Sequence, residues 1–190
     1  AGLDVDDPIW TSFSSTRRRC WPVFIRLEMW TWMGLSRTLF SIPQKNDDLD
    51  TLTLCNLSAG DLSRLVQRQE VSPVEIVDAH LARIESTEHI LNSFITLLPE
   101  EARASARQAE AQICAGNYLG PLHGIPVGLK DLFNTGGVRT TSGSRVFDNF
   151  VPAQDCTVAS KLRQAGAILL GKLNMHQLAY GPTGENVDYG

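Results

Sequence analysis

The sequence predicts an α/β fold in which helices cover a mixed or largely parallel sheet, with only the N-terminal part of such a domain present. Three observations carry this expectation. Capped amphipathic segments fill residues 58–116, two short apolar runs follow at 124–130 and 167–173, and a further capped segment separates those runs.

Ser58 precedes "AGDLSRLV", with Asp61 three residues on and Leu62, Leu65 and Val66 on one face. Ser72-Pro73 opens a second helix, with Ser72 as N-cap, Pro73 at the first helical position and Glu75 completing a capping box. Val74, Val77, Leu81 and Ile84 give that helix an apolar stripe. A third helix is expected from near Pro99 through "EEARASARQAEAQICA", stopped by Gly116. "GIPVGLK" then reads as a short buried strand carrying Ile125, Val127 and Leu129. Pro126 argues against a regular central strand. After the loop "NTGGVRTTSGS", Asp155 is the expected cap of "CTVASKLRQA" and Gly166 its end. "AILLGKL" is a continuous apolar run of parallel-strand type, and "NMHQLAYG" is expected to form one or two helical turns. Two strands fall short of the roughly four to six of an ordinary sheet, so the domain is expected to be truncated.

The totals bound the function. The chain has 190 residues, 43% hydrophobic and 20% charged, with a net charge of −4. That is ordinary globular composition, with no basic field for nucleic acid and no acidic tail. Cys20, Cys55, Cys114 and Cys156 form no CxxC pair, so free thiols in a reducing, cytoplasmic setting are expected. His80, His89, His123 and His176 include no pair at metal-ligand spacing, and no phosphate loop or dinucleotide fingerprint occurs. No cofactor and no metal are implied. His123 stands beside the candidate site, where a supporting hydrogen bond and a solvent-facing turn are both open readings.

Residues 1–48 differ from the rest. They balance acids and bases and hold all four tryptophans, Trp10, Trp21, Trp30 and Trp32. Arg17-Arg18-Arg19 before "CWPVFIRLEMW" imitates a leader, but Arg26 and Glu28 interrupt an apolar run already shorter than the roughly 20 residues of a membrane span. The segment is expected to be a poorly ordered extension, with the domain running over 49–190.

One lysine raises a chemical question. Lys130 ends an apolar run and enters a loop holding Thr140, Thr141, Ser142 and Ser144. A buried lysine either pairs with a carboxylate or gives up its proton, and a desolvated amine serves as a base near neutral pH. Those hydroxyls are hydrogen-bond partners for such an amine. The plainer readings are that Lys130 points to water or pairs with Asp131. Spacing alone leaves all of these open.

Longer stretches add a resemblance. "GPLHGIPVGLKD" resembles the lysine-bearing strand of the amidase signature family, and "GVRTTSGSRVFDNFVPAQDCTVASKLRQAGAILLGKLNMHQLAYG" is similar to that family's next stretch. Upstream, "LSRLVQRQEVSPVEIVDAHLARIE" resembles its N-terminal helices. The resemblance covers about Leu49 to Gly190. It implies an amide hydrolase with a Ser–cis-Ser–Lys triad, in which Lys130 matches the catalytic lysine and an acyl-serine forms. The serine is too weak an acid to attack without a base within hydrogen-bond reach. The two serines belong to later motifs of the family, so this chain is expected to be inactive alone. Ser142 and Ser144 match an earlier part of the pattern and are not substitutes.

"AYGPTGENVDYG" aligns with the family's acyl-pocket segment, which makes Gly181, Pro182, Thr183 and Gly184 candidate substrate-binding residues. As plain sequence the same stretch is a loop of turn formers. The resemblance further implies a small-molecule amide substrate and no membrane partner, and it leaves a homodimer open. Glutamine-hydrolysing amidotransferase A subunits of the same family carry Met-Gly-Ser-Ser-Thr-Glu-Asn where this chain has Tyr180-Gly181-Pro182-Thr183-Gly184-Glu185-Asn186. His176-Gln177 likewise replaces their Asp-Glu. These departures favour a stand-alone amidase over a component of an amidotransferase. The third reading is a short non-catalytic binding module.

Overall fold

A computed structural model describes residues 51–190. The expected extension over 1–48 lies outside the described residues. In chain order the elements are α1 (Thr51–Asn56), α2 (Ala59–Gln67), α3 (Pro73–Leu91), β1 (Phe94–Leu97), α4 (Pro99–Cys114), β2 (Pro126–Lys130), α5 (Thr157–Gln164) and β3 (Ile168–Leu173). Single 3₁₀ turns occur at Arg145–Phe147 and Gln177–Ala179.

The helix starts follow local chemistry. Ser58 accepts the N–H of Asp61, and Ser72 forms the full capping box with Glu75, so orphan amide groups of the first turns of α2 and α3 are satisfied. The structure corrects one expected cap. Helix α5 starts one residue later, with Cys156 at the N-cap and no side-chain bond there. Asp155 instead accepts the N–H of Gly136 at 2.7 Å and pairs with Arg163. A tertiary partner has outcompeted the local one.

Two apolar clusters meet on α3. Ile76 and Ala79 face Leu54, Leu62, Val66, Val71, Ile113 and Ile125. Val77 and Leu81 face Ala102, Ala106 and Ala109 of α4 together with Ile168 and Leu170 of β3. The small alanine side chains let α4 lie close against both neighbours.

Among the described residues the sheet has three strands in the order β1-β3-β2. β2 runs parallel to β3, while β1, absent from the expected strands, runs antiparallel on the other side. The sheet is therefore mixed. Gly171 makes room for β1, because a Cβ there would sit 2.3 Å from the carbonyl oxygen of Thr96. Pro126 opens β2 at the sheet edge, where its missing N–H costs least. The β2–β3 register slips between Val127 and Gly128, leaving Leu170 without a partner in β2. Bulges of this kind redirect side chains. Before the bulge Ile168 enters the helix-facing core; after it Lys172 reaches the 131–144 loop.

Candidate active site

Lys130 is the last residue of β2, opposite Leu173 of the parallel neighbour. It is exposed, and its ammonium has no hydrogen-bond or ion-pair partner among the described residues. Its carbonyl accepts the N–H of Phe133 at 3.0 Å, which turns the chain sharply away from the strand.

The desolvated ammonium is that of Lys172, a residue the sequence left inside an ordinary strand. Lys172 and Asp131 are both 0% exposed, and Nζ lies 3.1 Å from Oδ1 of Asp131. That contact is an ion pair with poor hydrogen-bond alignment. The well-aligned donations of Nζ go to Oγ1 of Thr140 at 2.7 Å and to the carbonyl of Phe133 at 2.9 Å. Burial pushes the pKa of Lys172 down, and the Asp131 charge pulls it back up. The other oxygen of Asp131, Oδ2, accepts both the N–H of Thr141 at 2.7 Å and its hydroxyl at 2.6 Å. The loop hydroxyls thus serve the Asp131–Lys172 pair, where the sequence offered them to Lys130. Ser144 is likewise engaged, accepting from Nε2 of Gln177 at 2.9 Å.

The same network brings the remaining candidates to this end of the sheet. Asp131 O accepts the N–H of Ser142 at 3.1 Å, and Ser142 O accepts the N–H of Leu178 at 2.8 Å. Asn186 is buried and donates to the carbonyls of Gly143 and Met175 at 2.8 and 2.6 Å, closing the 176–186 loop onto the 141–144 loop. Gly181 donates its N–H to Nδ1 of His176 at 3.0 Å. Pro182, Thr183 and Gly184 are exposed at the tip, and no hydrogen bond joins them to Lys130. Ser142, Leu178 and Ala179 hold φ of 52°, 54° and 57°, so strained backbone gathers where the two loops touch. The expected helix over "NMHQLAYG" is reduced by this strain to one irregular 3₁₀ turn.

His123 stands apart from this end. Its Nδ1 accepts the N–H of Leu119 at 3.1 Å and its Nε2 meets Oε1 of Gln112 at 3.0 Å, which fixes the neutral Nε2–H tautomer. Burial lowers its pKa. It lines a groove of about 400 Å³ with Gln108, Gln112, Arg163 and Ile168. That groove lies at the start of β3, at the opposite end of the sheet from Lys130. It does not serve the candidate site. Among the described residues no group of three or more His, Cys, Asp or Glu is arranged to hold a metal ion, and no helix is long and apolar enough to cross a membrane.

Residues 75–190, which contain every residue of the two loops and both lysines, match the family model described as Amidase. This chain belongs to the amidase family. Over 139 residues it is 47% identical to the A subunit of the glutamyl-tRNA(Gln) amidotransferase of Geobacter sulfurreducens, a match covering 73% of this chain. The chain spans 28% of the length of that relative. Its structure is similar to that of the native peptide amidase from Stenotrophomonas maltophilia, with a TM-score of 0.61 and 31% identity over 64% of this chain and 25% of that one. It is also similar to a fatty acid amide hydrolase, with a TM-score of 0.69 and 25% identity over 74% of this chain and 25% of that one. The amidase resemblance read from the sequence is therefore correct, as is the α/β class with a mixed sheet.

Proposed function

We propose that this chain is the N-terminal portion of an amide hydrolase and that Lys130 is the base of a Ser–cis-Ser–Lys triad in the full-length protein. One observation carries the reading. Lys130 ends a strand of the matched span at the carboxyl end of a parallel pair, where the 131–144 and 176–186 loops converge. In α/β sheets ligands bind outside the carboxyl ends of the strands. The matched family and both solved structures named above are amidases or amide hydrolases, which supports cleavage of an amide C–N bond. In this scheme the Lys130 amine accepts a proton through the intermediate serine, and the nucleophilic serine attacks the amide carbonyl. The C–N bond breaks as the proton passes back from Lys130 through the intermediate serine to the leaving nitrogen, and water then hydrolyses the acyl-serine. The exposed Lys130 amine of this chain is the surface over which the remaining sequence, with both serines, closes. Gly181, Pro182, Thr183 and Gly184 then supply part of the acyl pocket. The setting is cytoplasmic, and the substrate is a small amide.

The test compares the full-length protein with the isolated chain. The full-length protein is expected to hydrolyse members of an amide panel and to take up a serine-directed phosphonate; the isolated chain is expected to do neither. Phosphonate labelling of the isolated chain would contradict the assignment of both serines to later sequence.

A second reading keeps the chemistry and changes the setting, with ammonia released from glutamine for a partner protein. The 47% identity to the A subunit of a glutamyl-tRNA(Gln) amidotransferase favours it. The His176-Gln177 pair and the Gly181–Gly184 loop weigh against it. Glutaminase activity that rises with tRNA and with a co-purifying partner would establish this second setting.

A further inference from the structure

Among the described residues Lys130 has no side-chain partner, so within them the direction of its amine is set by the backbone on which it stands. That backbone is held through the next residue. Asp131 donates its N–H to Leu173 O at 3.1 Å and accepts from Ser142 N at 3.1 Å, while its carboxylate takes Thr141 and faces Lys172. Lys172 in turn holds Thr140 and Phe133. One buried ion pair therefore joins the end of β2, the end of β3 and the 133–142 loop. Such a pair is a poor source of stability, because the cost of desolvating two charges cancels most of their attraction. Apolar side chains of equal volume would fill the space as well.

We infer that the Asp131–Lys172 pair is a positioning device for Lys130, locking the strand end and the loop into one register so that the amine leaves the sheet from a single place. The inference rests on the reading of Lys130 as the base. It predicts a specific pattern of losses in the full-length enzyme. The doubly neutral variant Asp131→Asn/Lys172→Met removes both charges together and is expected to fold, because neither charge is left buried alone. Its kcat is expected to fall about 10- to 100-fold with KM unchanged, the scale of a small misplacement of a reacting group.

The decisive comparison places the same two substitutions in a Lys130→Ala background. With no amine left to position, they should cause no further loss. A pair that only stabilises the fold would lower activity by the same factor in both backgrounds, and that result overturns the inference. Parent-like kcat in the doubly neutral variant also overturns it while leaving Lys130 as the base. Near-parent kcat/KM in Lys130→Ala alone instead removes the base and, with it, the object of positioning. Should the doubly neutral variant fail to fold, Thr141→Val keeps both charges and removes the hydroxyl, with its bond to Asp131 and the one it accepts from the N–H of Gly143. It is expected to lower kcat about fivefold in the parent and not in Lys130→Ala; equal losses in both overturn the inference.

Discussion

The ends of β2 and β3 lie side by side, with Lys130 opposite Leu173 and Lys172 opposite Leu129, and each strand delivers one lysine to the same end of the sheet. β2, the edge strand among the described residues, leaves its ammonium exposed. The central strand, flanked on both sides, buries its ammonium completely and supplies a carboxylate, a hydroxyl and a carbonyl to hold it. The difference teaches that an apolar run does not measure burial; the position of a strand in its sheet does. The buried lysine ties the two strand ends to the 133–142 loop, and the exposed one makes no side-chain bond among the described residues.

The comparison breaks most visibly at Lys172. Lys172→Met leaves the Asp131 carboxylate buried with only its Thr141 donors, and removing one partner of a buried pair costs about 3–5 kcal/mol. Thermal melting of the full-length protein is expected to show a large fall in Tm; an unchanged Tm would mean that Asp131 is hydrated or protonated.

A smaller effect concerns another buried titratable side chain, His123, which is 1% exposed. Burial lowers its pKa in the folded state below the ordinary 6.5, so the unfolded chain takes up the proton first as pH falls. Its contribution to stability is complete above about pH 6.5 and is lost as pH falls from there to the lowered folded value. Protonation would also break the bond from Leu119 N. Denaturant midpoints between pH 7.5 and 5.5 should decline more steeply in the parent than in His123→Asn. Parallel slopes would show that this site does not couple to folding.

The smallest effect is the sharpest contrast with Lys172. In the isolated chain Lys130→Ala removes an exposed side chain with no partner among the described residues, and stability is expected to stay within about 0.5 kcal/mol of the parent. A loss of several kcal/mol would mean that Lys130 is structural.

How far the sequence could be read depended on the range of each interaction. The caps at Ser58 and Ser72 were legible because the bonds that make them span three residues or fewer. Strand β1 was not, because "FITL" is four residues long and is a strand only by pairing with β3, at a place opened by Gly171. Asp155 misled for the opposite reason, since its true partners lie at Gly136 and Arg163. At the site, Lys130 was legible only through its resemblance to a family. Spacing alone left it open between base, ion pair and solvated side chain. The Asp131–Lys172 pair crosses from β2 to β3 with no local period to announce it. Its one signal was a lysine inside the otherwise apolar "AILLGKL".

Both lysines meet in one measurement, kcat/KM of the full-length Lys130→Ala protein on an amide that the parent hydrolyses. Loss of a general base predicts a fall of about 10²- to 10⁴-fold in a protein that still unfolds cooperatively. Activity close to that of the parent would show that the exposed lysine takes no part in the chemistry.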